Sequence, residues 1–151
     1  MWHDPPMFSI ILAALDGSPR EPLVLQRAVE LAKVHGAKLH LVRAVTIPIG
    51  LPDAVWSMSL AQLDAALVAE AEKALRARAD EHPGAVAATH VRIGQPADVV
   101  EDLARELRAD LVMIGAHGYR MAERLIGTTA SKIVHRVGCS VLVVRTPEPS
   151  A

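Results

Sequence analysis

Two hydrophobic periods alternate along this chain. Short apolar runs recur at Ser9 to Leu15, Lys38 to Val45, Val86 to Ile93, Asp110 to Gly115 and Ser140 to Arg145. Runs of this length, closed by turn residues, predict strands buried in a parallel sheet. The first ends at Asp16-Gly17-Ser18-Pro19, and the second is interrupted by His40 and Arg43. Between the runs, apolar residues fall at helical spacing. Val24, Ala28, Leu31, Ala32 and His35 share one face of the first helical segment, and Gly36 follows as a C-cap. Ser18-Pro19-Arg20-Glu21 reads as a capping box at its start, with proline at the first helical position, although Pro22 in the first turn is expected to allow a shifted start. A long second segment, from about Ser59 to Glu81, aligns Leu60, Leu63, Leu67, Ala71, Ala74 and Leu75, with Arg78 at the exposed margin. Val100, Leu103, Ala104 and Leu107 mark a third helix. Ala130, Ile133, Val134 and Val137 mark a fourth, which Gly138 is expected to cap.

Strand and helix therefore alternate from end to end. This order implies parallel strands joined by right-handed helical crossovers. Five strands are too few for an eight-stranded barrel. The expected fold is α/β: an open, doubly wound, Rossmann-like five-stranded parallel sheet with helices on both faces. Residues 1–8, with Pro5 and Pro6, are expected to form a flexible extension. Residues 9–145 form the single domain, and 146–151, with two further prolines, a loose tail.

Composition narrows the function classes. A length of 151 residues, 51% of them hydrophobic, suits one folded domain. A net charge of −1 argues against a broad basic face for nucleic acid. Cys139 is the only cysteine, so no intrachain disulfide can form, and at the start of a buried strand it reads as a small core residue. No apolar run approaches the ~18 residues of a membrane span, and the first residues lack the pattern of a signal peptide. A cytoplasmic protein with no membrane partner is expected.

Open parallel sheets bind ligands at the carboxyl ends of their strands, where the winding direction reverses. Two segments in such places carry chemistry. Asp16 ends the first strand, where a carboxylate can accept from ribose hydroxyls or hold a phosphate-bound Mg²⁺ through water. The fourth strand runs into Gly115-Ala-His-Gly118 and on to Gly127-Thr128-Thr129, which opens a helix. The first N–H groups of a helix lack intrahelical partners and suit an anion. His117, Arg120 and Arg124 lie in the same loop as further phosphate contacts. The bland alternative is a tight loop with a threonine-capped helix. The Glu70, Glu72, Arg76 and Arg78 charges of the long helix read as a solvated face. No two histidines stand at metal-ligand spacing on one helix face.

Other doubly wound sites are excluded by particular residues. There is no Walker A loop, and no Gly-x-Gly-x-x-Gly turn after the first strand. A phosphoacceptor receiver wants aspartate ending strand three and lysine ending strand five. Ile93-Gly94 and Arg145 stand there instead. The Asp16-Gly17-Ser18 turn is not the Ser/Thr-rich phosphate loop of a flavodoxin.

From Ser9 to Val144 the sequence resembles the universal stress protein family. Four segments carry the likeness: Ile11-Leu-Ala-Ala-Leu-Asp16-Gly-Ser18, Ala28-Val-Glu-Leu-Ala32, Gly94-Gln-Pro-Ala97, and Gly115-Ala-His-Gly118 leading to Gly127-Thr128 and a closing Val-Leu-Val-Val strand. The family's nucleotide-binding branch places nine residues between the second glycine and the Gly-Ser/Thr pair. Here eight intervene, Tyr119 to Ile126. The resemblance implies strand order 3-2-1-4-5, which makes strands one and four neighbours. It implies adenine held near Ala14 and Ala44-Val45, ribose near Asp16, and phosphates near Gly115, Gly118, Gly127, Thr128 and Thr129. ATP or AMP, with Mg²⁺ on a triphosphate, would be the ligand. It further implies a homodimer, and in this strand order segment 140–145 lies at a sheet edge available for pairing. Three functions remain open: a regulatory nucleotide-binding module with an unidentified downstream partner, a dimeric stress-response scaffold that binds no nucleotide, and a slow ATPase.

Overall fold

The structure, a computed structural model, describes residues 5–47, 58–116 and 127–145. Its elements alternate as β1 (Ile10–Ala14), α1 (Glu21–His35), β2 (Lys38–Val45), α2 (Leu60–Asp80), β3 (Ala88–Ile93), α3 (Pro96–Leu107), β4 (Leu111–Gly115), α4 (Thr128–Arg136) and β5 (Ser140–Val144). All strand pairings are parallel, in the order β3-β2-β1-β4-β5. Among the described residues no helix is long and apolar enough to cross a membrane.

The two-residue alternation of the strands divides the core. Ile11, Ala13, Leu39, Leu41, Leu111 and Met113 face α1 and α2, where Val24, Leu25, Ala28 and Leu75 meet them. Leu12, Val42, Val112 and Ile114 face α3 and α4, against Val100, Leu103, Ala130 and Ile133. β1 is covered on both sides: Ile11, Leu12 and Ala13 expose no surface, which is why its apolar run is unbroken. The start of β1 is tied to that of β4. The Asp110 carboxylate accepts from the backbone N–H groups of Ser9 at 2.8 Å and Ile10 at 3.0 Å. Phe8 sets its ring edge-on against His35, with centroids 5.3 Å apart, so packing begins one residue before Ser9.

Three local expectations are corrected. α1 does not begin in a capping box at Ser18. It starts at Glu21, with Arg20 in the cap position and no side-chain cap. Pro22 is the reason. A helix whose first residue was Pro19 would need the N–H of Pro22 to bond the Ser18 carbonyl, and proline has none. Starting at Glu21 moves Pro22 to the second helical position, where an N–H has no intrahelical partner to lose. Gly138 does not cap α4, because Val137 turns to an extended conformation and ends the helix first. Arg78 is not a solvated margin either: its Nε stands 3.5 Å from the buried Glu21 carboxylate. α2, by contrast, has a complete capping box. Ser59 Oγ accepts from Gln62 N at 3.1 Å, and Gln62 Oε1 accepts from Ser59 N at 3.0 Å.

The outer half of the sheet holds a paired titratable group. His40 on β2 and His90 on β3 bring Nδ1 and Nε2 within 3.0 Å, with rings 22° from parallel. One ring donates and the other accepts, an arrangement that requires a neutral acceptor. Burial pushes both imidazoles below their ordinary pKa. Lys38 lowers His40 further, and His40 and Arg92 lower His90, while Glu106 opposes the shift. A group with a depressed folded-state pKa favours unfolding when it must protonate. The pair's contribution is therefore present above the ordinary imidazole pKa of 6.5 and is lost as pH falls through the lower folded values. Urea midpoints are expected to drop on acidification from about pH 7.5 to about 5.5. The drop should be smaller in the double variant His40→Val, His90→Val. Parallel pH profiles for the two proteins would contradict this.

Candidate functional site

The crossovers leave β1 in opposite directions. β2 and β3 lie on one side of it, β4 and β5 on the other. The carboxyl ends of β1 and β4 therefore lie side by side, Ala13 being level with Met113. Side chains that end these strands border a crevice that no crossover helix fills.

A cavity of about 250 Å³ occupies this place. Its floor is apolar: Val42 and Ala44 of β2, Val100 of α3, Ile114 of β4, and Ala130 and Ile133 of α4. Its rim carries Asp16, Thr46 and Thr129. Among the described residues Asp16 is the one carboxylate in the lining. Its Oδ1 accepts from Ser18 N at 2.9 Å, a local turn that fixes the side chain while leaving it exposed. Across the crevice, the Arg20 guanidinium donates to the Ala116 carbonyl and ties the β1–α1 turn to the end of β4. α4 opens at the cavity with Gly127 in the cap position and no side chain capping it among the described residues. Its first-turn N–H groups carry the positive end of the helix dipole.

The site residues expected from sequence sort into three groups. Ala14, Asp16, Ala44, Gly115 and Thr129 all line this one cavity. Val45, Gly127 and Thr128 are not in the lining. Val45 is nearly buried, and its carbonyl accepts from Gly94 N at 3.0 Å. Gly127 and Thr128 begin the helix that carries Thr129. His117 and Gly118, with Arg120 and Arg124, lie outside the described residues.

Gly115 also has a packing role. A Cβ there would stand 3.2 Å from Val24 Cγ2 of α1. The missing side chain makes room for a helix on the opposite face of the sheet, and only the backbone of Gly115 borders the crevice.

Sequence reasoning missed the apolar floor and the support beneath the Asp16 turn. The floor was legible in part, since Val42, Ala44 and Thr46 alternate on one face of β2 and its extension. The support is Glu21, buried to 3% exposure, which accepts from Arg43 Nη2 at 2.6 Å. A charge interrupting an apolar strand was the available signal. Cys139 sits half-buried just before β5, outside the cavity lining. Burial first, and then Asp110, push its thiol pKa up and keep it protonated. No group of three or more His, Cys, Asp or Glu side chains among the described residues is placed to hold a metal ion.

Comparison with known proteins agrees with this architecture over nearly the whole chain. The model of the universal stress protein family matches residues 7–145. Universal stress protein A homolog 1 of Coxiella burnetii is 32% identical over 135 residues, 89% of this chain and 94% of that protein. The structure of universal stress protein UspA from Lactobacillus plantarum superposes with a TM-score of 0.73 at 28% identity, covering 91% of this chain and 97% of the other. A universal stress protein crystallised in complex with cAMP gives a TM-score of 0.61 at 25% identity, with coverage of 91% and 97%. On its sequence, strand order and crossover pattern together, the chain belongs to the universal stress protein family.

Proposed function

We propose that this protein binds an adenine nucleotide, ATP or AMP, in the cavity between β1 and β4, and acts as a homodimeric regulator in the cytoplasmic stress response. The carrying observation is the sequence of chemistries across one crevice. An apolar floor suits a flat ring, a carboxylate at the rim suits sugar hydroxyls, and a helix N-terminus suits an anion. In this reading Ala14, Val42 and the Ala44-Val45 backbone flank the base. Asp16 accepts from the ribose, and Gly127, Thr128 and Thr129 meet phosphate, joined by Gly115, His117 and Gly118. Mg²⁺ would ride on a triphosphate, with Asp16 as its protein ligand through water. The relative in complex with cAMP supports a nucleotide as the ligand class.

The scaffold reading rests on the eight-residue spacing from Tyr119 to Ile126. Hydrolysis is not part of the proposal. A general base must reach the attacking water, and Asp16, the only carboxylate lining the cavity among the described residues, is engaged in binding.

The dimer is proposed through β5, which among the described residues has a neighbour on one side only. Its α1-side face is also incompletely covered. Leu142 is 37% exposed and Val34 79% exposed, and both border a groove of about 450 Å³ with Leu31, Met113 and Val144. Edge pairing with a second copy satisfies the backbone and covers this apolar surface.

Calorimetric titration with ATP and AMP is expected to show binding. Asp16→Asn keeps the acceptor for Ser18 N but loses the charge, and should weaken binding by about tenfold or more, the scale of a hydrogen bond to a charged group. No heat at millimolar nucleotide would favour the scaffold. For the dimer, the unfolding midpoint should rise with protein concentration. Leu142→Lys should abolish that dependence and give a monomer on sedimentation. A wild-type monomer at roughly tens of micromolar would overturn the dimer.

A further inference from the structure

Glu21 is the one charged residue buried to this degree among the described residues. An unpaired buried carboxylate costs several kcal/mol, so its partners matter. Arg43, reaching from β2, places Nη2 2.6 Å from Glu21 Oε1, and Arg78, from α2, places Nε 3.5 Å from Oε2. Glu21 also occupies the first position of α1, where the helix dipole favours negative charge. One carboxylate and two guanidiniums thus converge from α1, β2 and α2.

They converge directly beneath the β1–α1 turn. Arg43 Nε donates to the Leu15 carbonyl at 3.4 Å. Leu15 N donates to the Val42 carbonyl at 2.9 Å, so both polar groups of Leu15 are held by β2. On the far side of Asp16, Gly17 adopts a φ of +77°, and a Cβ there would meet the Arg43 guanidinium at 3.4 to 3.7 Å. The Arg43 guanidinium therefore bonds the residue before Asp16 and lies beneath the one after it, with room for little more than a methyl group between.

We infer that Arg43 is a positioning residue for the candidate nucleotide site: oriented by Glu21, its guanidinium sets the backbone on both sides of Asp16 and so aims the carboxylate into the crevice. The guanidinium plane is what this role needs. It donates in two directions from one rigid group and presents a flat face for Gly17 to approach. A lysine keeps the charge opposite Glu21 but cannot hold both contacts with the same geometry. Arg43 itself does not line the cavity. Its effect on a ligand passes through Asp16.

The nucleotide arm of the test rests on the reading proposed above, so a second arm is independent of it. Arg43→Lys is measured without nucleotide by amide hydrogen exchange and with ATP by calorimetry. The Ser18 amide, which donates to Asp16, should exchange at least about tenfold faster, while the Leu12 and Ala13 amides keep their wild-type protection. ATP affinity should fall by about tenfold, the lower end for loss of a supporting contact behind a ligand residue. A uniform loss of protection across β1, or unchanged exchange at Ser18, would overturn the inference, as would unchanged ATP affinity where the wild type binds. A wild type that binds no nucleotide would sink the nucleotide reading, and Ser18 exchange alone then decides the role of Arg43. Should Arg43→Lys fail to fold, the double variant Glu21→Met, Arg43→Met removes both charges together, a change buried ion pairs often tolerate. It should fold and show the same selective loosening at Ser18; wild-type exchange there would overturn the inference.

Discussion

The parallel pairing of β1 with both β2 and β4 is the constraint from which the rest of the molecule follows. A strand paired on both edges and covered on both faces has no room for polar side chains, and Ile11, Leu12 and Ala13 are fully buried. Right-handed crossovers then oblige the helices to fall on opposite faces, since the chain winds away from β1 first towards β2 and later towards β5. The crevice at the carboxyl edge is a geometric by-product of that reversal. Asp16 and Gly115 are brought together because their strands are neighbours, although about a hundred residues of chain separate them.

The two faces solve different problems. On the α1–α2 face, Val24 approaches where Gly115 omits a side chain, and the Glu21 ion pair braces the first turn from below. On the α3–α4 face, alanines leave space between strands and helices. The rigid support and the open recess lie on opposite sides of one sheet, and Asp16 stands at the edge between them. Its local turn with Ser18 and the bridge from Arg20 to Ala116 complete the frame.

The strand and helix order was legible in the hydrophobic pattern, because five short apolar-rich runs separated by helical stripes admit few other architectures. The neighbourhood of β1 and β4 came from resemblance to the family, since strand order is not written in local periodicity. What escaped the sequence was set by partners distant along the chain. Glu21 looked like the last residue of a capping box, and only Pro22 argued otherwise. Arg43 and Arg78 read as a blemish in a strand and a helix margin until three elements were seen to meet. His40 and His90, fifty residues apart, become a pair only once the register of β2 and β3 is fixed. Gly115 lines the crevice, and its lack of a side chain answers to Val24.

The recess has a thermodynamic meaning of its own. It exists where Ala14, Ala44 and Ala130 stand in positions that larger residues would fill. Each omitted methylene forgoes about 0.8 kcal/mol of burial. The ligand-free fold is thus held below the stability its architecture permits, and whatever occupies the recess restores part of that deficit as binding free energy. For the nucleotide proposed above, stability in a cell would then depend on its concentration, rising logarithmically once it exceeds its dissociation constant. The same arithmetic would make loss of such binding a short evolutionary step: enlarging a single alanine in the recess would trade occupancy for a firmer core.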